Sequence, residues 1–446
     1  MPVLLPFTAG LRPSNKPIVR GSPGVPKTFP RLEGVLEIRS RNGTVPFRIH
    51  TIILQLNTIQ HVAVPSSSKL GSNDASRTYR MYENLHYSSV AGSSNMNEEI
   101  LGMDLPFIIS LGKDIISSSR FPRWDLSNQH NLSALITYHS KTNSNNLEVV
   151  TVKFPIQIKK YDTLPLYRQF NEPITRTVDS TSTQVLCEYS IPNLSIGPKD
   201  DLIIYLKICT INPGPDSILK KLKKLKLKKI TVELKEILEC HEGGLHNQEL
   251  TLISEIQDFE DLVIPSQGFA TQLSLVCPME NNMLEMSTTP ITSKLNLNEP
   301  SSNFEILPSK IINDIHSGTP ISHDSQGFTS IGKLFSIYYE LVIKIKMAGK
   351  NNNIVISQPI TICPYDRITS VNLLKWIMKE YEMSSKQFSL DATQLTETND
   401  NEELNRVMLQ ACKPPVLYRP NNHRDWTKLG FSESCMNKKK LVYNID

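Results

Sequence analysis

Short runs of β-branched and aromatic residues, broken repeatedly by turn-forming residues, constrain this chain more than any other feature. In the first third they are Gly34-Val35-Leu36-Glu37-Ile38, Ile52-Ile53-Leu54-Gln55-Leu56, Leu105-Pro106-Phe107-Ile108-Ile109, Ala134-Leu135-Ile136-Thr137-Tyr138 and Glu148-Val149-Val150-Thr151-Val152. A second set begins at Val185-Leu186-Cys187-Glu188-Tyr189 and continues through Leu202–Ile208, Lys229–Leu234, Phe269–Leu273, Phe335–Ile343 and Ile354–Ile356. Runs this short cannot be core helices of ordinary length, and their number, with signals such as Asn42-Gly43 between them, points to strands packed as sandwiches. A chain of 446 residues exceeds the roughly 250–300 residues at which one hydrophobic core stops growing. The expected fold class is therefore all-β, with two β-sandwich domains in tandem, long loops and a short C-terminal helix.

Polar and proline-bearing stretches set the expected boundaries. Residues 1–30 hold Pro2, Pro6, Pro13, Pro17, Pro23, Pro26 and Pro30, a composition that resists both helix and ladder and reads as a tail over the surface. Residues 65–100 are rich in Ser and Asn and read as a loop or insertion. The first sandwich is expected over 31–162, a linker over 163–172, and the second sandwich over 173–365 with a polar insertion at 278–330. Two stretches have helical spacing instead: Ile368, Val371, Leu374, Ile377, Met378 and Tyr381, and the shorter Ile218, Leu219, Leu222 and Leu225. Residues 366–446 are expected to be that first helix followed by a polar, basic tail.

Several function classes find no support in the composition. The seven cysteines are scattered, odd in number and without a C-x-x-C pair, which suits reduced thiols rather than a disulfide framework or a zinc site. No metal and no cofactor is expected. Nucleophile-elbow, Walker-type and H-E-x-x-H sequences are missing, His50, His61 and His139 sit in or beside strand-like runs, and Glu236 with Glu239 reads as a surface pair, so the chain is expected not to be an enzyme. Val3-Leu4-Leu5 has no basic region ahead of it and is not read as a secretory signal. No run approaches the ~20 apolar residues that span a bilayer. A cytoplasmic protein, at most peripheral to a membrane, is expected.

The order of these elements resembles the arrestin clan, and within it the fungal arrestin-related trafficking adaptors, or α-arrestins. Leu32–Ile38 and Ile52–Leu56 look like the opening strands of the N-terminal arrestin domain, and Leu105-Pro106-Phe107 followed by Ile116-Ser117-Ser118-Ser119 looks like its "fPF…LPsS" segment. Pro198–Leu202, Leu225–Ile230, Leu234-Lys235-Glu236 and the closing Val355–Ile362 resemble the C-terminal arrestin domain. The resemblance spans about 31–365 and implies two immunoglobulin-like sandwiches. It also implies a role: linking plasma-membrane transporter or receptor tails to a WW-domain, HECT-type ubiquitin ligase for endocytosis, at the plasma membrane or endosomes. The ligase-binding Pro-Pro-x-Tyr of that family is absent, since Pro414-Pro415-Val416-Leu417-Tyr418 carries one residue too many. The alternative within the same clan is a retromer-like sorting or coat subunit, a scaffold without a ligase.

Three segments are candidate docking sites. Lys220, Lys221, Lys223, Lys224, Lys226, Lys228 and Lys229 are separated only by leucines, with no acid among them. Helix or strand, that spacing puts leucines on one side and lysines on the other, giving either an ordinary solvated face or a site for acidic cargo tails or anionic lipids. Nucleic acid is not expected, because base-stacking aromatics are not interleaved and the net charge is only +4. Leu164-Pro165-Leu166-Tyr167 is a Leu-Pro-x-Tyr variant of the ligase motif, in which Leu164, Pro165 and Tyr167 would meet a WW groove; a buried linker tyrosine is the plain reading. The helix near 366–381 carries Trp376, Lys375 and Lys379, suiting either a membrane interface or packing against the second sandwich.

Overall fold

The computed structural model describes residues 5–12, 18–41, 43, 45–64, 73–89, 98–121, 123–140, 146–165, 172–180, 185–210, 225–242, 247–265, 267–279, 328–348, 353–388, 406 and 408–430. Strand dominates throughout, and with it the all-β expectation holds. The first half contributes β1 (Phe7–Arg12), β2 (Val19–Arg20), β3 (Arg31–Ser40), β4 (Ile49–Val64), β5 (Asn73–Ser88), β6 (Gly102–Ser110), β7 (Ser119–Phe121), β8 (Leu126–His139) and β9 (Leu147–Ile156). One sheet runs β1-β3-β6, with β2 also on β3; the other runs β5-β4-β8-β7, with β9 also on β8. Alternation along these strands sends Leu36, Ile38, Met103 and Leu105 of the first sheet and Ile52, Leu54, Leu132 and Ile136 of the second into one shared core.

The second half repeats the plan with β10 (Ile174–Ser180), β11 (Val185–Ile191), β12 (Ser195–Ile196), β13 (Asp201–Thr210), β14 (Lys226–Cys240), β15 (Gln248–Val263), β16 (Phe269–Val276), β17 (Ser330–Ile331), β18 (Phe335–Met347) and β19 (Asn353–Ile362). A β10-β11-β13-β16 sheet faces a β12-β19-β18-β14-β15 sheet, with β17 also on β18. Cys187, Ile204 and Leu206 meet Val232, Leu234, Leu341 and Ile343 in a second core. That core also takes in Val62, Phe121 and Leu126 from the first half, so the two halves are joined by apolar contact. Leu164 falls between the last strand of one half and the first of the other.

Three expectations are corrected. Residues 1–30 are not simply a tail: Phe7–Arg12 pairs along β3 from Phe7↔Ser40 to Arg12↔Val35, and Phe7 is buried. The prolines at positions 6 and 13 bracket a proline-free stretch, which leaves its amides able to join a ladder. Residues 65–100 are not only loop, because β5 pairs β4 from Thr51↔Ser88 to Val64↔Asn73 as a long hairpin. The chain beyond 391 also returns to the first half: β20 (Val416–Tyr418) pairs β6 and extends its sheet, and α2 (His423–Lys428) follows it. The 278–330 insertion lies mostly outside the described residues, as does the 218–225 helix except Leu225.

The long helix forms as expected but turns a different face inward. It runs as α1 (Arg367–Phe388), and the Asp366 carboxylate accepts the Thr369 amide at 2.6 Å as an N-cap. Asp200 accepts the Arg367 amide at 3.0 Å, and burial holds its carboxyl above the usual carboxylate range. Ser370, Leu373, Trp376, Ile377, Glu380 and Ser384 face inward, and of these Leu373, Trp376 and Ile377 pack on Val25, Tyr161, Leu164 and Tyr365. Ile368, Val371 and Met378, grouped by spacing with the core stripe, are exposed instead. The real seam is narrower and mixed with serines, which a count of apolar spacing passes over.

Candidate docking sites

The lysine run enters the described residues at the start of β14. Lys220, Lys221, Lys223 and Lys224 lie outside them, whereas Lys226 and Lys228 are exposed and Lys229 half-exposed. The expected alternation is present, because Leu227 is fully buried between the lysines. The face is not purely basic, however. In the β14–β15 hairpin, Asp261 lies 3.8 Å from the Lys226 ammonium and 4.0 Å from that of Lys228. Lys228, Lys229 and Lys346 line an open recess of about 560 Å³ together with Asp258, Phe259, Glu260 and Asp261. Three cations against three acids make this recess charge-balanced, so Lys228 and Lys229 are largely offset at this end of the run. The acids at 255–261 were visible in the sequence; the hairpin register that sets them beside the lysines was not.

The linker motif is placed in its first half only. Leu164 is fully buried and Pro165 buried, while Leu166 and Tyr167 lie outside the described residues. Leu164 belongs to an aromatic clamp in which Tyr161 stacks on Tyr365 at 5.7 Å between ring centroids and meets Trp376 at 5.6 Å. Burial pushes the Tyr161 and Tyr365 hydroxyls well above the usual tyrosine range. This clamp binds the residues around Val25, the linker and α1 into one unit.

A polar junction between the halves carries geometry that sequence reasoning missed. Gln60 on β4 and Asn128 on β8 are register partners, and the Gln60 amide donates to the Asn128 carbonyl at 2.9 Å. The Gln60 carbonyl accepts the backbone amides of Lys333 at 2.9 Å and Leu334 at 3.1 Å, while the Asn128 amide donates to Ser119 at 2.8 Å and Ser330 at 3.1 Å. Gly332 allows this approach: a Cβ there would stand 2.1 Å from the Gln60 amide and 2.8 Å from the Phe335 carbonyl. Beside it, Phe121 meets Phe328 at 5.7 Å and Phe335 at 6.3 Å.

Glu236 corrects the surface-pair reading, because it lies buried on β14. Its carboxylate accepts Trp124 Nε1 at 2.6 Å and Arg123 at 3.3 Å from the first half, and the Tyr339 hydroxyl at 2.8 Å from the second. Burial, then the Glu236 charge, pushes that hydroxyl well above the usual range. Arg77 on β5 and Glu242 after β14 add an exposed bidentate pair across the halves, at 2.6 and 2.8 Å. His130 is another buried group unused by the sequence reading. Its Nε2 meets the Ile116 carbonyl at 2.9 Å and its Nδ1 meets Thr58 at 2.9 Å. A carbonyl can only accept, so Nε2 carries a hydrogen; burial lowers the ring's pKa to about 4, which favours the neutral form at neutral pH.

These arrangements hold surfaces together and present others. Among the described residues no group of three or more His, Cys, Asp or Glu side chains is arranged to hold a metal, and no helix is long and apolar enough to cross a membrane. No protein-family model matches the chain. It is similar, at 25% identity over 456 aligned positions, to the RHO1 GEF localizing protein 1 of Saccharomyces cerevisiae. The alignment covers 92% of this chain and 92% of that protein.

Proposed function

We propose that this chain is a non-catalytic adaptor that places a Rho-type GEF, a guanine-nucleotide exchange factor, at its site of action. The observation that carries this reading is the similarity across 92% of both chains to a protein named for localizing a RHO1 GEF. An end-to-end alignment is what a shared architecture would give, as opposed to one borrowed module. In this reading the two sheet pairs are tandem immunoglobulin-like sandwiches of the arrestin kind, and the adaptor works peripherally at the plasma membrane or endosomes. A rigid body suits the task, and Glu236, Gln60 and Asn128 favour one by tying the halves through buried hydrogen bonds.

The narrower expectation, a link from transporter or receptor tails to a WW-domain ubiquitin ligase, is less favoured. Leu164, which would begin the ligase motif, is committed to the aromatic clamp, and a WW groove needs an accessible extended segment. The retromer-like scaffold stays compatible with a ligase-free adaptor. Co-purification separates these readings. A tagged full-length chain should retain a Rho-type exchange factor from its native cells and no ubiquitin ligase above the untagged control. Recovery of a WW-domain ligase that depends on Tyr167, with no exchange factor, would overturn the proposal.

A further inference from the structure

The outward face of α1 is built unlike the rest of the surface. It contains Ile368, the most exposed of the large apolar side chains among the described residues at 80%, with Met378 at 67%. Val371 and Met383 are exposed on the same side. Arg367, Lys375, Lys379 and Lys386 are exposed along this helix, and Glu382 is its one exposed acid, since Glu380 turns inward. The sum is four cations against one anion on a single helix face. Among the described residues no carboxylate pairs with Lys375, Lys379 or Lys386. Lys27 is exposed next to Thr28, whose carbonyl accepts the Ser384 hydroxyl at 3.0 Å, so it adds a cation near the C-terminal half of the helix.

We propose that this face of α1 docks on an anionic phospholipid surface, with Ile368, Val371 and Met378 entering the headgroup boundary and Arg367, Lys375, Lys379 and Lys386 meeting lipid phosphates and carboxylates. A bilayer is favoured over a protein partner by the shape and the mixture. The face is the convex side of a helix of 22 residues, about 33 Å long at 1.5 Å per residue. Apolar and basic side chains alternate along it. Lysine suits that arrangement, because its stem lies along the apolar surface while the ammonium reaches the headgroups.

The helix is held for this role from behind. Trp376, Leu373 and Ile377 fix it to Tyr161 and Leu164, so lipid contact needs no folding of a free segment. Each cation near an anionic membrane is worth about fivefold in binding, which makes the attachment reversible and salt-sensitive. The inference does not depend on which protein the adaptor holds.

Vesicle co-sedimentation of the full-length chain tests it. Phosphatidylcholine vesicles with about one-third phosphatidylserine should carry the protein down at ~0.1 M salt, and pure phosphatidylcholine should not. The triple variant Lys375→Glu, Lys379→Glu, Lys386→Glu should bind about a hundredfold more weakly or worse, with an unchanged melting temperature. Ile368→Ser with Met378→Ser should also weaken binding while keeping every charge. Lys226→Glu with Lys228→Glu should bind as the unaltered chain does. Equal binding by the triple variant, loss only in the β14 variant, or capture by a soluble acidic peptide in place of vesicles would each overturn the inference.

Discussion

One strand, β14, shows two uses of charge. Near its end Glu236 is buried and receives hydrogen bonds from both halves of the molecule; at its start Lys226 and Lys228 are exposed, each about 4 Å from Asp261. In the sequence the lysines dominate and Glu236 is inconspicuous. Energetically the order is reversed. Removing a partner from a buried charge leaves donors stranded without water, whereas an exposed ammonium is screened and simply returns to solvent. Density of charge along a strand therefore says little about which residue the fold depends on.

The sharpest way to break this contrast is Glu236→Ala. It strands Trp124 Nε1 and the buried Tyr339 hydroxyl together, and at about 1–3 kcal/mol for each stranded donor is expected to cost about 2–6 kcal/mol of stability, read as a fall in denaturant midpoint. A loss no larger than for an exposed residue would erase the distinction. Asn128→Leu comes next, at about 1–3 kcal/mol, since Gln60, Ser119 and Ser330 each lose a partner. Asn128→Asp would separate geometry from charge.

Acid should act on the junction's neighbour, His130. Its folded pKa of about 4 lies below the ordinary histidine value of 6.5, so the unfolded chain binds the extra proton first. Stability from this group is then complete above pH 6.5 and declines as the pH falls towards 4. In His130→Gln that part of the acid sensitivity should disappear from melting curves recorded between those values. His86, lowered to about 4 by burial as well, should supply what remains in the same window. At the small end of the series, Lys226→Ala and Lys228→Ala should change stability by no more than about 0.5 kcal/mol.

Legibility in the sequence followed burial on both faces. Residues 52–56 and 335–343 announce themselves because strands inside a sheet pair need β-branched residues. β5 does not, as an edge strand whose polar side chains reach water while its backbone pairs with β4; β1 was hidden by the prolines around it. The junction was harder still. Gln60 and Asn128 are ordinary polar residues whose meaning depends on the β4–β8 register and on Ser330, 202 positions from Asn128. No local pattern encodes a contact of that span. The gap in strand runs around Leu164 was readable, since β9 ends at Ile156 and β10 starts at Ile174, though not the burial of Leu164 itself.

Forced relocation shows whether this chain localises an exchange factor, as proposed. The full-length chain is fused to a mitochondrial outer-membrane anchor, and a fluorescent Rho-type exchange factor is followed in the same living cells. The exchange factor should move to mitochondria, and Glu236→Ala, which loosens the junction, should weaken the transfer. An exchange factor that keeps its ordinary distribution beside a folded, anchored chain would contradict it.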